Sequence, residues 1–176
     1  MPIRTRSCLV LSILATLVIA CEQHVGPFSV SRVDRSVSGP SQYPIAVDPS
    51  VVGRFLGEAK SGAGYFYDDV LEYRVWLHPK QGAKPLAGGS AYFAAFAQFE
   101  HALAFSRANA GAERPLALIR QREWINEPTP GKFVHEKGER ITEWKVEWLS
   151  GSKRTADNIE HFLANPRPPK AADKDE

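Results

Sequence analysis

Hydrophobic and polar side chains alternate over residues 70–78, and this alternation predicts the first strand of a folded domain. The apolar positions of one face are Val70, Tyr73, Val75 and Leu77. The positions of the other face are Glu72, Arg74, Trp76 and His78. Successive side chains of a strand point to opposite faces of the sheet, so we expect the first set in the core and the second in water.

Three further segments follow this strand. Residues 91–96 are apolar and aromatic, and their periodicity is compatible with a short strand or with the start of a helix. Residues 100–109 have the spacing of an amphipathic helix, with Gly111 as its expected stop. Residues 116–124 are apolar in the first half and charged in the second, which predicts a central strand that emerges into solvent.

The last part of the domain is predicted to contain a hairpin and a helix. Lys132–Glu136 and Arg140–Leu149 read as its two strands, joined at Lys137-Gly138 with glycine in the second loop position. Residues 157–163 are expected to form a closing helix. The elements together predict an α+β fold: a mostly antiparallel sheet of about five strands with one helix on one face, a two-layer sandwich.

The composition of the flanking segments sets the domain boundaries. Residues 65–164 carry the regular pattern and are predicted to be the domain. Residues 21–64 are rich in Gly, Pro and Ser and predict a flexible tether, although the more apolar stretch 45–56 leaves open whether it docks on the domain. Residues 165–176 are expected to be a disordered tail.

The N-terminus resembles the leader of a bacterial lipoprotein. Arg4 and Arg6 precede an apolar run of 13 residues at 8–20, too short for a membrane core of roughly 30 Å. Residues 18–21 read Val-Ile-Ala-Cys and are similar to a lipobox. The resemblance implies that residues 1–20 are a signal peptide and that Cys21 carries the lipid (thioether-linked diacylglycerol and palmitate-type acyl chains) on the periplasmic side. Glu22, which is not Asp, favours the outer over the inner membrane.

Two other interpretations of the leader stay open. One is an ordinary signal peptide, or an uncleaved apolar anchor, with an incidental cysteine. The other is a start codon near Val51 or Val52, which would give a cytoplasmic protein without a leader.

Charge and cysteine content narrow the function classes. The chain has 176 residues and a net charge of +2. Removal of residues 1–20 takes away only two charges, those of Arg4 and Arg6, and leaves 20 basic against 20 acidic residues. A nucleic-acid-binding domain usually has a basic excess, so no nucleic-acid partner is expected. The two cysteines are Cys8, in the leader, and Cys21, so the domain has no thiol for a disulfide, a nucleophile or a metal.

Residues 64–164 are similar to a small uncharacterised bacterial family. The segments that carry the resemblance are YFYDDVLEYRVWLHP, FAQFEHALAFSR and ERPLALIRQREWINEPTPGKFVHEKGERITEWKVEWLSGS. Some members are labelled acetyltransferase-like, which implies coenzyme A chemistry if the protein is cytoplasmic. The glycine-rich loop that holds the coenzyme A pyrophosphate at a helix N-terminus is absent, because a predicted strand follows Ser61–Gly64. No cofactor is expected.

Arginine and tryptophan on the predicted strands are the candidate binding residues. Both residue types are frequent anchors of binding surfaces. The candidates for an anion- or peptide-binding face, presented to an envelope protein or an anionic ligand, are Arg74, Trp76, Arg120, Arg122 and Trp124. The alternative is that acids and bases of neighbouring strands simply form cross-strand pairs on a solvent face.

The sequence assigns no catalytic residues. A small enzyme could use His78, Glu123 or His135 as acid or base, since active sites assemble in space. No two of the five histidines have the spacing of a zinc pair, so no metal site is predicted. The favoured function is a membrane-anchored, non-catalytic binding or scaffolding module.

Overall fold

The computed structural model describes residues 40–55, 65–86 and 88–166. The predicted leader, Cys21 and residues 167–176 of the predicted tail lie outside the described residues. The strands are β1 (Asp69–Leu77), β2 (Tyr92–Phe96), β3 (Leu116–Thr129) and β4 (Lys132–Lys145), and the helices are α1 (Phe99–Ala108) and α2 (Asn158–Ala164). Short 3₁₀ helices occupy Pro49–Val51, Pro79–Gln81 and Val146–Leu149. The predicted α+β class is confirmed.

The described strands form one curled antiparallel sheet in the order β2-β1-β3-β4. The expectation of an antiparallel sheet is therefore confirmed, but the sheet has four strands in the described part of the chain rather than about five. The ambiguous segment 91–96 is a strand, because its residues pair with β1 from Tyr73↔Phe96 to Leu77↔Tyr92. The predicted helices at 100–109 and 157–163 are α1 and α2, each displaced by one residue.

The predicted hairpin at Lys137-Gly138 is wrong, and this accounts for the missing strand. β4 runs through both residues, and the chain reverses instead at Pro130-Gly131, where Gly131 adopts a left-handed φ of +78°. Between the pairs Gln121↔Arg140 and Glu123↔Lys137, β4 has one residue more than β3. Such an extra residue is a β-bulge, and Gly138 (φ +150°) lies in it. The glycine marks a bulge in a long strand rather than a turn.

The main core lies between α1 and one face of the sheet. Tyr73 and Val75 of β1, Ile119 of β3 and Trp144 of β4 are all fully buried there. They contact α1 at Ala102, which is itself fully buried. The alternation read from β1 therefore predicts its core-facing side chains correctly.

The opposite face of β1 is covered as well, by a segment that the sequence placed in the tether. Residues 41–55, called the strap below, are bound to the sheet by backbone hydrogen bonds from Ala46 N–H to Ala97 O (2.9 Å) and from Val47 N–H to Val70 O (2.8 Å). Its far end reaches the buried side chains of Glu72 and Arg74. The tether prediction for 21–64 thus includes a stretch that packs on the domain.

Candidate anion-binding site

Four basic residues surround two adjacent carboxylates at the start of β1. This cationic cluster consists of Asp68, Asp69, Arg120, Arg122, Lys153 and Arg154. Asp69 lies directly opposite Arg120 in the register of β1 and β3. The segment after β4 returns beside the start of β1, through hydrogen bonds from Tyr67 N–H to Ser152 O and from Arg154 N–H to Tyr67 O. Residues distant in the sequence are thereby brought to one edge of the sheet.

The two carboxylates are nearly surrounded by donors. Asp68, which is 5% exposed, accepts hydrogen bonds from Arg154 Nε (2.6 Å) and from the backbone N–H of Arg122 (2.5 Å). Asp69 accepts from Arg120 Nε (3.0 Å) and Nη2 (2.6 Å), and Arg122 Nη2 lies 3.2 Å from the same oxygen. These short, charge-assisted contacts fix the arginines in place.

The six residues of the cluster carry four positive and two negative charges, and the nearby carboxylate of Glu123, which acts electrostatically on Arg154, reduces this surplus from two to one. Lys153 donates to the carbonyl of Asp68 and lies 3.8 Å from the Asp69 carboxylate, so it is only loosely neutralised. The side chains of Arg122 and Lys153 are 52% and 58% exposed, respectively. The cluster therefore presents two cations to solvent above ion pairs that are partly buried.

The pKa values of the cluster reflect this arrangement. Burial by itself raises the pKa of Asp69, but the hydrogen bond and charge of Arg120, with the charges of Arg122 and Lys153, bring that pKa below its ordinary value. The hydrogen bond to Asp68 raises the pKa of Arg154 above its ordinary value, although burial opposes the shift. Both shifts favour the charged forms of Asp69 and Arg154.

The five predicted binding residues divide among three places. Arg120 and Arg122 lie together in the cationic cluster. Trp76 donates its indole N–H to both oxygens of Glu143, at 3.2 and 3.1 Å, and so belongs with Arg74. Trp124 stacks under the guanidinium of Arg140, 4.7 Å from the ring centroid.

Arg74 is enclosed in the protein and has no surface for a ligand. Its guanidinium contacts Glu72 (2.6 Å), Glu143 (3.1 Å) and the carbonyl of Phe55 in the strap (2.7 Å), and it lies 4.2 Å from the ring centroid of Phe93. Glu72 also accepts the backbone N–H of Gly53 at 2.6 Å. The expected solvent face of β1 is thus a buried ion cluster closed by the strap.

Four members of the cluster are absent from the residues predicted from the sequence: Asp68, Asp69, Lys153 and Arg154. Two signals pointed to them, the acidic pair just before the alternating pattern and the basic pair after the last predicted strand. No spacing rule joins these pairs, because they meet only through the bridge between Tyr67 and Lys153.

The candidate acid–base residues form two separate pairs. His135 Nε2 lies 2.9 Å from Glu123, and His78 Nε2 lies 2.8 Å from Glu113. In both pairs the histidine is 27% exposed and the glutamate 30%. Each imidazole is oriented by a carboxylate, as a general base requires, at the surface of the domain.

No group of three or more potential metal-binding side chains occurs within the described ranges. No helix of those ranges is long and apolar enough to cross a bilayer. Comparison with protein-family models, with curated proteins and with solved structures found no match for this chain.

Proposed function

We propose that this protein is a bacterial lipoprotein whose folded domain is a non-catalytic binding module for an anionic group of the cell envelope. The lipobox-like sequence ending at Cys21 supports the anchor, and Glu22 favours the outer membrane. The cationic cluster supports the binding role.

The surplus of positive charge at the cluster is the observation that carries the binding proposal. Without its first 20 residues the chain has equal numbers of basic and acidic residues, so this surplus is a local feature. Phosphate is the anion that best matches the donors, because planar guanidinium groups bind it with two parallel hydrogen bonds and an ammonium group adds a point charge. A phosphate on a lipid headgroup would also give the protein a second attachment to the membrane.

The carboxylates of Asp68, which is buried, and Asp69, which is partly buried, position the cations for this task. Asp68 and Asp69 hold the inner N–H groups of Arg120 and Arg154, which are 27% and 26% exposed. The outer donors of Arg122 and Lys153 are left accessible, since their contacts to carboxylate oxygens are 3.2 Å or longer. A preorganised site of this kind loses little conformational entropy when it binds an anion.

Binding to vesicles tests the proposal. The full chain is expected to sediment with vesicles that contain phosphatidylglycerol but not with pure phosphatidylcholine vesicles, and added salt should weaken the association. The Arg122→Ala/Lys153→Ala variant should bind at least tenfold more weakly. The matched control, Arg54→Ala/Lys145→Ala, removes the same two charge types from exposed positions outside the cluster and should bind like the wild type.

Competition by inorganic phosphate separates the two sources of the anion. Release of the protein at low millimolar phosphate, beyond the effect of matched chloride, would indicate a site for free phosphate. Insensitivity to phosphate, with vesicle binding retained, would indicate a headgroup at the membrane surface. Equal losses in the two double variants would overturn the proposed site, because they would reflect net charge alone.

The contact between His135 and Glu123 favours one alternative function, an enzyme with Glu/His acid–base chemistry. In an assay of aryl ester hydrolysis, this alternative predicts saturable activity that His135→Gln and Glu123→Gln abolish. The His78–Glu113 pair has nearly the same N–O distance and the same exposure as the His135–Glu123 pair. His78→Gln is therefore the control for His135→Gln. Equal slow rates in all variants would exclude a specific role of His135 in this reaction.

A further inference from the structure

A groove of 270 Å³ lies on the α1 side of the domain, away from the start of β1. α1, the strap and the segment that leads into β3 form its walls, through Tyr43, Phe99, Leu103, Arg107, Arg114 and Pro115. Glu147 adds one acidic side chain to the lining. The volume is just below the roughly 300–1,000 Å³ of sites for drug-sized ligands, so the groove suits a smaller molecule.

The floor of the groove is apolar and held in place. The ring of Tyr43 meets that of Phe99 edge to face, with centroids 4.8 Å apart. Glu100, at the start of α1, accepts hydrogen bonds from the Ser41 hydroxyl (2.9 Å) and from the backbone N–H of Gln42 (2.8 Å). These bonds fix the strap against α1, so the groove exists before any ligand arrives.

Two arginines and one glutamate line the rim of the groove, which leaves the rim with a net positive charge. No carboxylate of the described residues forms an ion pair with Arg107. Arg114 is 82% exposed and reaches Glu147, itself 58% exposed, only at 3.8 Å. An ion pair this long and exposed contributes little to stability, so a ligand carboxylate could replace it.

The hydroxyl of Tyr43 marks the polar end of the groove. Burial raises its pKa, the charge of Glu147 raises it further, and the charge of Arg114 lowers it. The Tyr43 hydroxyl therefore lies within electrostatic reach of both Glu147 and Arg114, and the Tyr43 ring packs on Phe99. Apolar and charged contacts are thus available along a single ligand.

We propose that this groove binds a small monocarboxylate with an apolar body, such as a medium-chain fatty acid. The apolar part would lie over Phe99, Leu103 and Pro115, and the carboxylate would accept hydrogen bonds from Arg107 and Arg114. Arginine binds a planar carboxylate through two parallel N–H groups, which gives it a preference over a neutral headgroup.

Calorimetric titration of the full chain with sodium decanoate, decanol and sodium acetate tests the proposal. Decanoate is expected to bind with one molecule per chain. Decanol lacks the charge and acetate lacks the apolar body, so each should bind at least tenfold more weakly. Equal affinity for decanol and decanoate would overturn the proposal, as would the absence of decanoate binding.

Variants locate the binding and separate this site from the cationic cluster. Arg107→Ala/Arg114→Ala should weaken decanoate binding at least tenfold, and both residues are exposed, so folding should be unaffected. Leu103→Trp should block the groove without altering charge. Arg122→Ala/Lys153→Ala, the variant of the cationic cluster, should bind decanoate like the wild type. Loss of decanoate binding in that variant, or its persistence in the first two, would place the ligand elsewhere and refute the groove.

Discussion

Arg74 Nε lies 2.6 Å from Glu72 Oε1, and neither side chain has any exposed surface. The same guanidinium reaches Glu143, whose side chain is 1% exposed, at 3.1 Å. One buried cation therefore holds two buried carboxylates, and the remaining polar atoms are bonded to the strap and to Trp76. Charges taken out of water are costly unless they are paired and hydrogen-bonded, which makes this cluster sensitive to the loss of any member.

Replacement of Arg74 by methionine is expected to lower the free energy of unfolding by about 3–5 kcal/mol. Methionine preserves much of the volume but leaves Glu72 and Glu143 without their counter-charge. Urea unfolding followed by tryptophan fluorescence measures the change. Arg114→Ala, at a position that is 82% exposed, is the control and should lie within about 0.5 kcal/mol of the wild type.

The variant Glu143→Gln completes a double-mutant cycle for this cluster. Since Arg74 and Glu143 share a contact, the double variant should lose less stability than the sum of the two single variants. Strict additivity would show that the two residues do not interact in solution.

Gly111→Ala is predicted to be strongly destabilising, by more than about 2 kcal/mol. Gly111 has a φ of +67°, and a Cβ there would lie 2.4 Å from the backbone N of Ala83 and 2.7 Å from the carbonyl of His78. Gly131, with a φ of +78°, has open space around the same position. Gly131→Ala should therefore cost only the conformational strain of about 1–2 kcal/mol. Similar melting temperatures for the two variants would contradict the close approach at Gly111.

Stability should fall as the pH is lowered through the acidic range, partly because of Asp69. Its pKa in the folded protein lies below the ordinary 3.8, so its ionised form stabilises the fold above that value. The contribution is lost as the pH falls through the lower, folded-state pKa. Asp69→Asn should reduce the slope of urea stability against pH below about pH 4 but not remove it, because Glu100, which binds the strap, also has a lowered pKa.

Glu139→Gln is the control for this experiment, since Glu139 is exposed and belongs to no ion pair of the described residues. It should leave the pH slope unchanged. A wild-type slope in Asp69→Asn would show that the ion pairs of the cationic cluster do not persist in solution.

Cys21→Ala tests the membrane anchor. The wild-type protein is expected in the membrane fraction, with an N-terminal peptide that begins at an acylated Cys21. The variant should lose the acyl mass and leave that fraction. A soluble wild-type chain with no processing at residue 20 would refute the lipoprotein proposal and would favour a cytoplasmic protein.

The sequence predicted those parts of the fold that depend on local pattern. Alternation located β1 and its core-facing side chains, and the 3.6-residue periodicity located α1. The hairpin failed because Lys137-Gly138 has the same local composition as a turn. Gly138 is a bulge because β4 pairs with β3 on both sides of it. The few residues around Gly138 do not reveal this pairing.

Four of the six residues of the cationic cluster could not be predicted from local sequence patterns. The sequence predicts Arg120 and Arg122 as members of an anion- or peptide-binding face, and the structure brings these two together in the cluster. The partners Asp68 and Arg154 lie 86 positions apart and meet through a contact between their segments. The burial of Arg74 could not be predicted from local sequence either, because the strap that covers it lies in the segment predicted to be a tether.

The amino-acid sequence alone therefore determined the α+β class, the core face of β1 and the helices, and it predicts a membrane address that Cys21→Ala tests. Each follows from short-range periodicity or from a contiguous motif. The tertiary structure decided which charges are buried and which face solvent, because burial depends on what packs against the second face of the sheet. It also decided which cations share a site, since the charges that meet there come from segments far apart along the chain.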